Sequence, residues 1–325
     1  MKKLSRNSFN RASKFILDKG RPLEGEILKK YFYNDENKKV LNELENFLNN
    51  DGGFGNGLEG DFRLPLSSPM ATTVAFQHLI NCENEEKAME IIKSGIKYFE
   101  NTFDSKRNGW LVVPKEVNDY PHAPWWHYIP KKDMTIIDRN WGNPSAEIIA
   151  YLYRYKNFVQ KIDVDKLLNY AIAYFNSKEK FEAENEIYCY IRLYNLLSDN
   201  LAKKIENKLI LGVKQVLCYK KEEWDNYVPT PLDFIESPNA YRFDISNGLI
   251  EENLNFLIEK LESHGKIEPA WNWHNLKSII DPDWNWNTYD SEWKKAKTEW
   301  TGVLTLKALV SLDKFNRIEL YSEIN

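Results

Sequence analysis

Hydrophobic residues recur along most of the chain at the three- and four-residue spacing of amphipathic helices. The spacing is clearest in three segments: 84–101, 165–176 and 250–263. It also links Leu41, Leu44 and Leu48. Alternation with period two is limited to short pieces around Val112, so the pattern predicts an all-α fold.

Capping residues mark several predicted helix starts. Ser68-Pro69 and Asn143-Pro144 each place a capping side chain before a proline that suits the first helical position. Asp163 is expected to cap the helix that follows it. A further helix is predicted to begin near Glu299.

The predicted helices form five or six hairpins, each pairing a charged outer helix with an inner helix that is apolar over most of its circumference. Long irregular loops are expected at 103–142, 219–248 and 265–298. No segment has the composition of a linker, so we expect a single domain over 1–325. Hairpins that cannot bury their faces alone must stack, and a ring of them makes an α/α toroid.

Residues 48–79 resemble the repeat of protein prenyltransferase β-subunits and squalene-type cyclases. The matching positions are the turn Asp51, Gly52, Gly53, Phe54 and Gly55, followed by Thr72, Thr73, Ala75 and Leu79. A weaker second copy starts at Leu254, and the whole chain is similar to a bacterial group with this toroid. The resemblance implies a terpenoid-cyclase-like toroid, in which Phe54 plugs the space between neighbouring hairpins.

The catalytic residues of those families do not carry over. Asp163-Val164-Asp165-Lys166 and Asp281-Pro282-Asp283-Trp284 lack the fourth acid of the DxDD box that squalene-type cyclases use. None of the three cysteines has the context of a prenyltransferase zinc ligand. We therefore expect no metal and no cofactor.

The first candidate site is the Gly-flanked loop that contains Glu59, Asp61 and Arg63. Two acids and an arginine there suit a polar site with general acid chemistry. The alternative is an ion pair or a cap for the next helix.

The second candidate is segment 120–128, which contains His122, Trp125, Trp126 and His127. Its prolines restrict the backbone, so its large side chains form a rigid aromatic wall, either for a ligand or for packing. The two histidines do not have a recognised metal-ligand spacing.

The third candidate is the tryptophan-rich region that begins at Trp271 and Trp273 and ends at Glu299 and Trp300. Indole rings that alternate with Asn and Asp suit stacking on sugars. The same rings suit an isoprenoid cation or simple packing. Glu147 and Asp244 are further candidate acids, and Glu147 has the better position because it lies on a predicted inner helix.

Composition narrows the function classes. The net charge of −4 gives no basic field for nucleic acid. The sequence predicts no membrane span and no secretory signal, and three widely spaced cysteines favour a cytoplasmic protein. We expect a small-molecule ligand, either isoprenoid-like or a sugar, in a cavity lined by aromatic rings and acids. A carbohydrate-active enzyme with paired carboxylates and a non-catalytic scaffold remain alternatives.

Overall fold

A computed structural model describes residues 1–274, 280, 284 and 289–319. Those residues contain twelve α-helices, numbered here in chain order. They are α1 (Arg6–Lys19), α2 (Pro22–Tyr33), α3 (Asn37–Glu45), α4 (Pro69–Leu79), α5 (Glu86–Asn101), α6 (Gly142–Arg154), α7 (Val164–Ser177), α8 (Glu184–Leu196), α9 (Asp199–Val216), α10 (Pro231–Phe234), α11 (Asn247–His264) and α12 (Asp290–Lys314).

Extended pairing is limited, within these described residues, to isolated β-bridges such as Leu48 with Phe54. The described part of the chain contains no β-strand, which confirms the all-α prediction. No helix in it is long and apolar enough to cross a membrane.

The chain divides into two compact units, each built from separate segments. The first unit contains Met1–Val40, Leu217–Asn272 and the chain from Asp290 onward; the second contains Leu41–Val216 and Trp273–Tyr289. The single-domain expectation is not tested by this division and stays a prediction.

Helix α6 forms the core of the second unit. Every residue from Trp141 to Leu152 is buried, and the helix packs against α4, α7 and α8. Asn143 has non-helical angles (φ −102°, ψ 110°), so the regular helix starts at Pro144, as predicted.

Two of the three predicted caps, Ser68 and Asp163, are present; the side-chain oxygen of Asn143 instead accepts from Sγ of Cys189 at 3.7 Å. The Ser68 hydroxyl accepts a hydrogen bond from the Ala71 amide at 3.1 Å, and Pro69 opens α4. The Asp163 carboxylate accepts one from the Lys166 amide at 3.0 Å and caps α7.

Two predicted helix ends were wrong. Helix α12 begins at Asp290 rather than near Glu299. Within its first two turns only Trp293 and Ala296 are buried, so the sequence there has no apolar stripe to read. Helix α3 ends before Leu48, which instead enters the glycine-rich turn.

That turn packs tightly against α5. Gly52 has φ +87°, and a Cβ atom there would lie 2.3 Å from the Ser94 hydroxyl oxygen. Phe54 is fully buried, and its amide donates to the Thr72 hydroxyl at 3.0 Å. The turn therefore both reverses the chain and fixes it to α4.

Candidate functional site

Backbone pairing joins two of the predicted motifs in the second unit. The Ala123 amide donates to the Asp61 carbonyl at 2.7 Å, and the Arg63 amide donates to the Pro121 carbonyl at 2.8 Å. Phe62 and His122 form an antiparallel bridge between these contacts. The acidic loop and the histidine segment therefore lie side by side.

Both acids of the loop are buried, with 7% of Glu59 and 4% of Asp61 exposed. A carboxylate oxygen of Glu59 accepts from the Asp61 amide at 2.8 Å. Oδ1 of Asp61 accepts from the indole N–H of Trp273 at 2.8 Å. Trp273 is itself 2% exposed, so one residue of the third motif joins the first.

The two histidines contact each other directly. Nε2 of His122 lies 2.9 Å from Nδ1 of His127; the two rings are inclined by 20°, and their centroids are 5.2 Å apart. The 3-10 turn Pro124–Trp126 lies between them and brings residues five apart together. Nδ1 of His122 lies 2.6 Å from the Tyr120 carbonyl oxygen. We call Glu59, Asp61, His122, His127 and Trp273 the histidine–carboxylate cluster.

Burial lowers the pKa of His122 to about 4. Proximity to His127 acts in the same direction, whereas the carbonyls of Tyr120 and Val117 oppose it. Desolvation disfavours the charged imidazolium, so His122 is neutral at pH 7.

Aromatic rings surround the cluster. The Trp126 ring packs edge-on against Phe62, with centroids 5.4 Å apart. The Trp284 ring lies 4.8 Å from that of His127, and the Tyr289 ring lies 5.6 Å from that of His122.

Trp126 also has an unusual polar group. Its indole N–H is buried, and within the described part of the chain it has no hydrogen-bond acceptor. A buried donor without an acceptor is costly, so such groups call for a specific explanation.

Two further predicted residues belong to the same two segments. Arg63 is partly buried, and its Nη1 atom would lie 3.3 Å from a Cβ atom at Gly57. Trp125 is partly buried and stands next to Trp126 in the 3-10 turn. These residues extend the site beyond its buried centre.

Glu147, predicted as a cavity acid, lies in a separate buried network of the second unit. One oxygen accepts from Gln77 at 2.9 Å and from the Tyr151 hydroxyl at 2.7 Å. The other accepts from Arg192 at 3.1 Å and lies 3.7 Å from Sγ of Cys189. Both oxygens therefore bond to side chains of α4, α6 and α8.

Sequence reasoning did not identify these partners of Glu147. Tyr151 had a readable signal, because residues four apart on a helix lie on the same face. Gln77 and Arg192 had none, since their contacts depend on how separate helices pack.

Four predicted residues belong to the first unit. Asp244 is exposed and has φ +61°. Glu299 and Trp300 are partly buried on α12, and the Trp300 ring lies 5.2 Å from that of Trp271. Their predicted roles in ligand binding or catalysis are not tested by this arrangement.

Metal binding has no support within the residues described, since no group of three or more His, Cys, Asp or Glu side chains there is placed to hold an ion. The side chains that remain for chemistry in the cluster are carboxyl, imidazole and indole groups.

No protein-family model matches the chain, and neither a curated protein nor a solved structure shows significant similarity to it.

Proposed function

We propose that the histidine–carboxylate cluster binds a neutral, hydroxyl-bearing small molecule, best represented by a sugar, and acts on it by acid–base chemistry. The main support is that two buried acids and two hydrogen-bonded histidines lie on loop segments that pair directly through their backbones. Carboxyl and imidazole groups are the side chains that general acid–base catalysis uses most.

The buried indole N–H of Trp126 supports a ligand rather than packing alone. Without an acceptor among the described residues, this donor costs free energy in the folded protein. A ligand oxygen would satisfy it. Aromatic rings next to hydrogen-bonding groups are the usual lining of a small-molecule site.

Charge favours a neutral ligand over a diphosphate. The acidic loop carries two carboxyl groups, Glu59 and Asp61, but only one guanidinium group, Arg63, and His122 is neutral. A diphosphate would therefore meet fewer cationic than acidic side chains. For this reason we prefer a sugar to an isoprenoid diphosphate.

The α/α toroid is part of the proposal. It is supported by contacts between consecutive helices, such as α6 with α7 and α8 with α9, and by helix α6, which is buried from Pro144 to Leu152 as an inner helix would be. The glycine-rich turn with its buried Phe54 also supports it. In such a ring, the loops that carry the cluster would line one end of the central hollow.

A thermal-shift screen tests the proposal. Wild-type protein is tested with neutral mono- and disaccharides and with isoprenoid diphosphates, and Asp61→Asn is tested alongside it. We expect at least one sugar to raise the Tm of the wild type and to lose most of that effect in Asp61→Asn, because the variant lacks one carboxylate acceptor.

Glu299→Gln is the matched control, since Glu299 belongs to the first unit. A sugar shift that survives Asp61→Asn but disappears in Glu299→Gln would place the ligand elsewhere and overturn the proposal. If isoprenoid diphosphates alone raised the Tm, the proposed ligand class, a neutral sugar, would be wrong.

A further inference from the structure

The hydrogen bonds of the two histidines determine which ring nitrogen carries each proton. A carbonyl oxygen only accepts, so the 2.6 Å contact with Tyr120 requires a proton on Nδ1 of His122. Neutral imidazole has one N–H, so Nε2 of His122 carries a lone pair and must accept. The hydrogen across the 2.9 Å contact therefore belongs to Nδ1 of His127.

We propose that His122 is a positioning residue: it holds the proton on Nδ1 of His127, so that Nε2 is the nitrogen through which His127 exchanges protons. Nδ1 keeps its hydrogen in both the neutral and the protonated ring, since in both states it donates to His122. Which ring nitrogen is reactive is commonly set by the hydrogen bond that the other one makes.

Burial keeps the two imidazole rings in this hydrogen-bonded arrangement. His122 is fully buried and His127 is 2% exposed, so water does not compete freely for their nitrogen atoms. The antiparallel bridge between His122 and Phe62 fixes the backbone of His122. The Trp284 ring, 4.8 Å from that of His127, limits how far the second ring can turn.

The assignment gives the proposed acid–base function a specific base, and this part of the inference rests on that function. A ligand hydroxyl would give its proton to Nε2 of His127: the O–H bond breaks, its electron pair stays on oxygen, and an N–H bond forms. The reverse transfer returns the proton. Throughout, Nδ1 of His127 remains a donor to His122.

Imidazole nitrogen NMR tests the tautomer without any ligand. The chain has 5 histidines, so spectra of histidine-labelled protein are simple, and His127→Gln identifies the His127 signals by their loss. Across a pH titration of ligand-free wild type, we expect Nδ1 of His127 to stay protonated while any change in protonation occurs at Nε2. A proton on Nε2 with a bare Nδ1 would overturn the inference.

Two variants separate positioning from packing. His122→Gln places an amide oxygen where Nε2 stood and should keep the wild-type tautomer of His127. His122→Phe fills the same space but offers no acceptor. Neutral His127 should then be a mixture of the tautomers protonated on Nδ1 and on Nε2. An unchanged tautomer in folded His122→Phe would show that His122 does not set it. Since no ligand is present, these outcomes are independent of whether the sugar proposal succeeds.

Discussion

Two of the places where the second unit buries carboxyl groups do so in different ways. Glu147 lies between helices, with both oxygens bonded to side chains of α4, α6 and α8. Glu59 and Asp61 lie on a loop, where their partners include a backbone amide and one indole. Burial of an acid is therefore insufficient to indicate a functional site; the identity of its partners distinguishes the two.

The bonds of Glu147 hold helices α4, α6 and α8 together, and we call this network a helix clamp. Arg192 balances the carboxylate charge, and the thiol of Cys189 beside it is inert because burial raises its pKa well above the ordinary value. The histidine–carboxylate cluster instead contains two imidazoles, and the neighbouring Trp126 has an indole donor that lacks a described acceptor. We interpret the first as structural and the second as the site of chemistry.

The largest expected effect is on stability, at Glu147. Glu147→Ala should lower the free energy of unfolding by about 3–5 kcal/mol, because Arg192, Gln77 and Tyr151 lose a buried partner. Urea denaturation measures this. The exposed Glu90→Ala on α5 is the control and should change it by less than about 0.5 kcal/mol. A loss below about 1 kcal/mol in Glu147→Ala would contradict the clamp.

The next effect is a pH dependence of stability that arises from His122 in the cluster. The pKa of His122 is about 4 in the folded protein against 6.5 for the ordinary side chain. Between these pH values the unfolded chain binds more protons than the folded protein does. The contribution of His122 to stability is therefore fully present above pH 6.5 and is lost as the pH falls to 4. The full loss is about 3 kcal/mol.

Urea denaturation of wild type and His122→Gln between pH 7 and 4 isolates that contribution. The variant should show the smaller loss. Glu268 does not interfere, because its pKa is lowered to about 2 by Lys266 and Lys297, so its contribution is lost mostly below pH 4. Parallel curves for the two proteins would refute a neutral buried His122.

A smaller effect should appear between Asp61 and Trp273. A double-mutant cycle with Asp61→Asn and Trp273→Phe should give a coupling energy of about 1–2 kcal/mol, since the 2.8 Å bond joins a buried indole N–H to a buried carboxyl oxygen. Denaturation of the four proteins gives the value. Additive effects would mean that the contact contributes nothing to stability.

An effect of similar size concerns the loop itself. Gly57 has φ +79°, so Gly57→Ala should cost about 1–2 kcal/mol of stability through backbone strain. Gly248 on α11 is the matched control, because a Cβ atom there meets no atom within 4 Å. Gly248→Ala should add about 0.5–1 kcal/mol. Equal effects in both variants would argue against a strained acidic loop.

Structural features that depend only on residues close together in the sequence were predictable. Ser68 and Asp163 were identified as caps because a cap bonds to an amide two or three residues away. The start of α12 was missed because its first turns bury too few residues to leave a periodic pattern.

The site was predicted in pieces rather than as a whole. Both loops and Trp273 were identified as candidates, but their contact depends on long-range pairing, such as the amide of Ala123 with the carbonyl of Asp61. The histidine contact had a partial signal, since a Pro-Trp-Trp turn separates the two residues. Glu147 was predicted as a cavity acid because two of its partners, Gln77 and Arg192, come from other helices.

The most direct measurement is a crystal structure of the protein with the sugar that gives the largest thermal shift. The account predicts a ligand oxygen within hydrogen-bond distance of the Trp126 indole nitrogen, with another hydroxyl near Asp61 or Nε2 of His127. A sugar bound only to residues of the first unit would contradict it. So would a structure at saturating sugar in which no sugar contacts the histidine–carboxylate cluster.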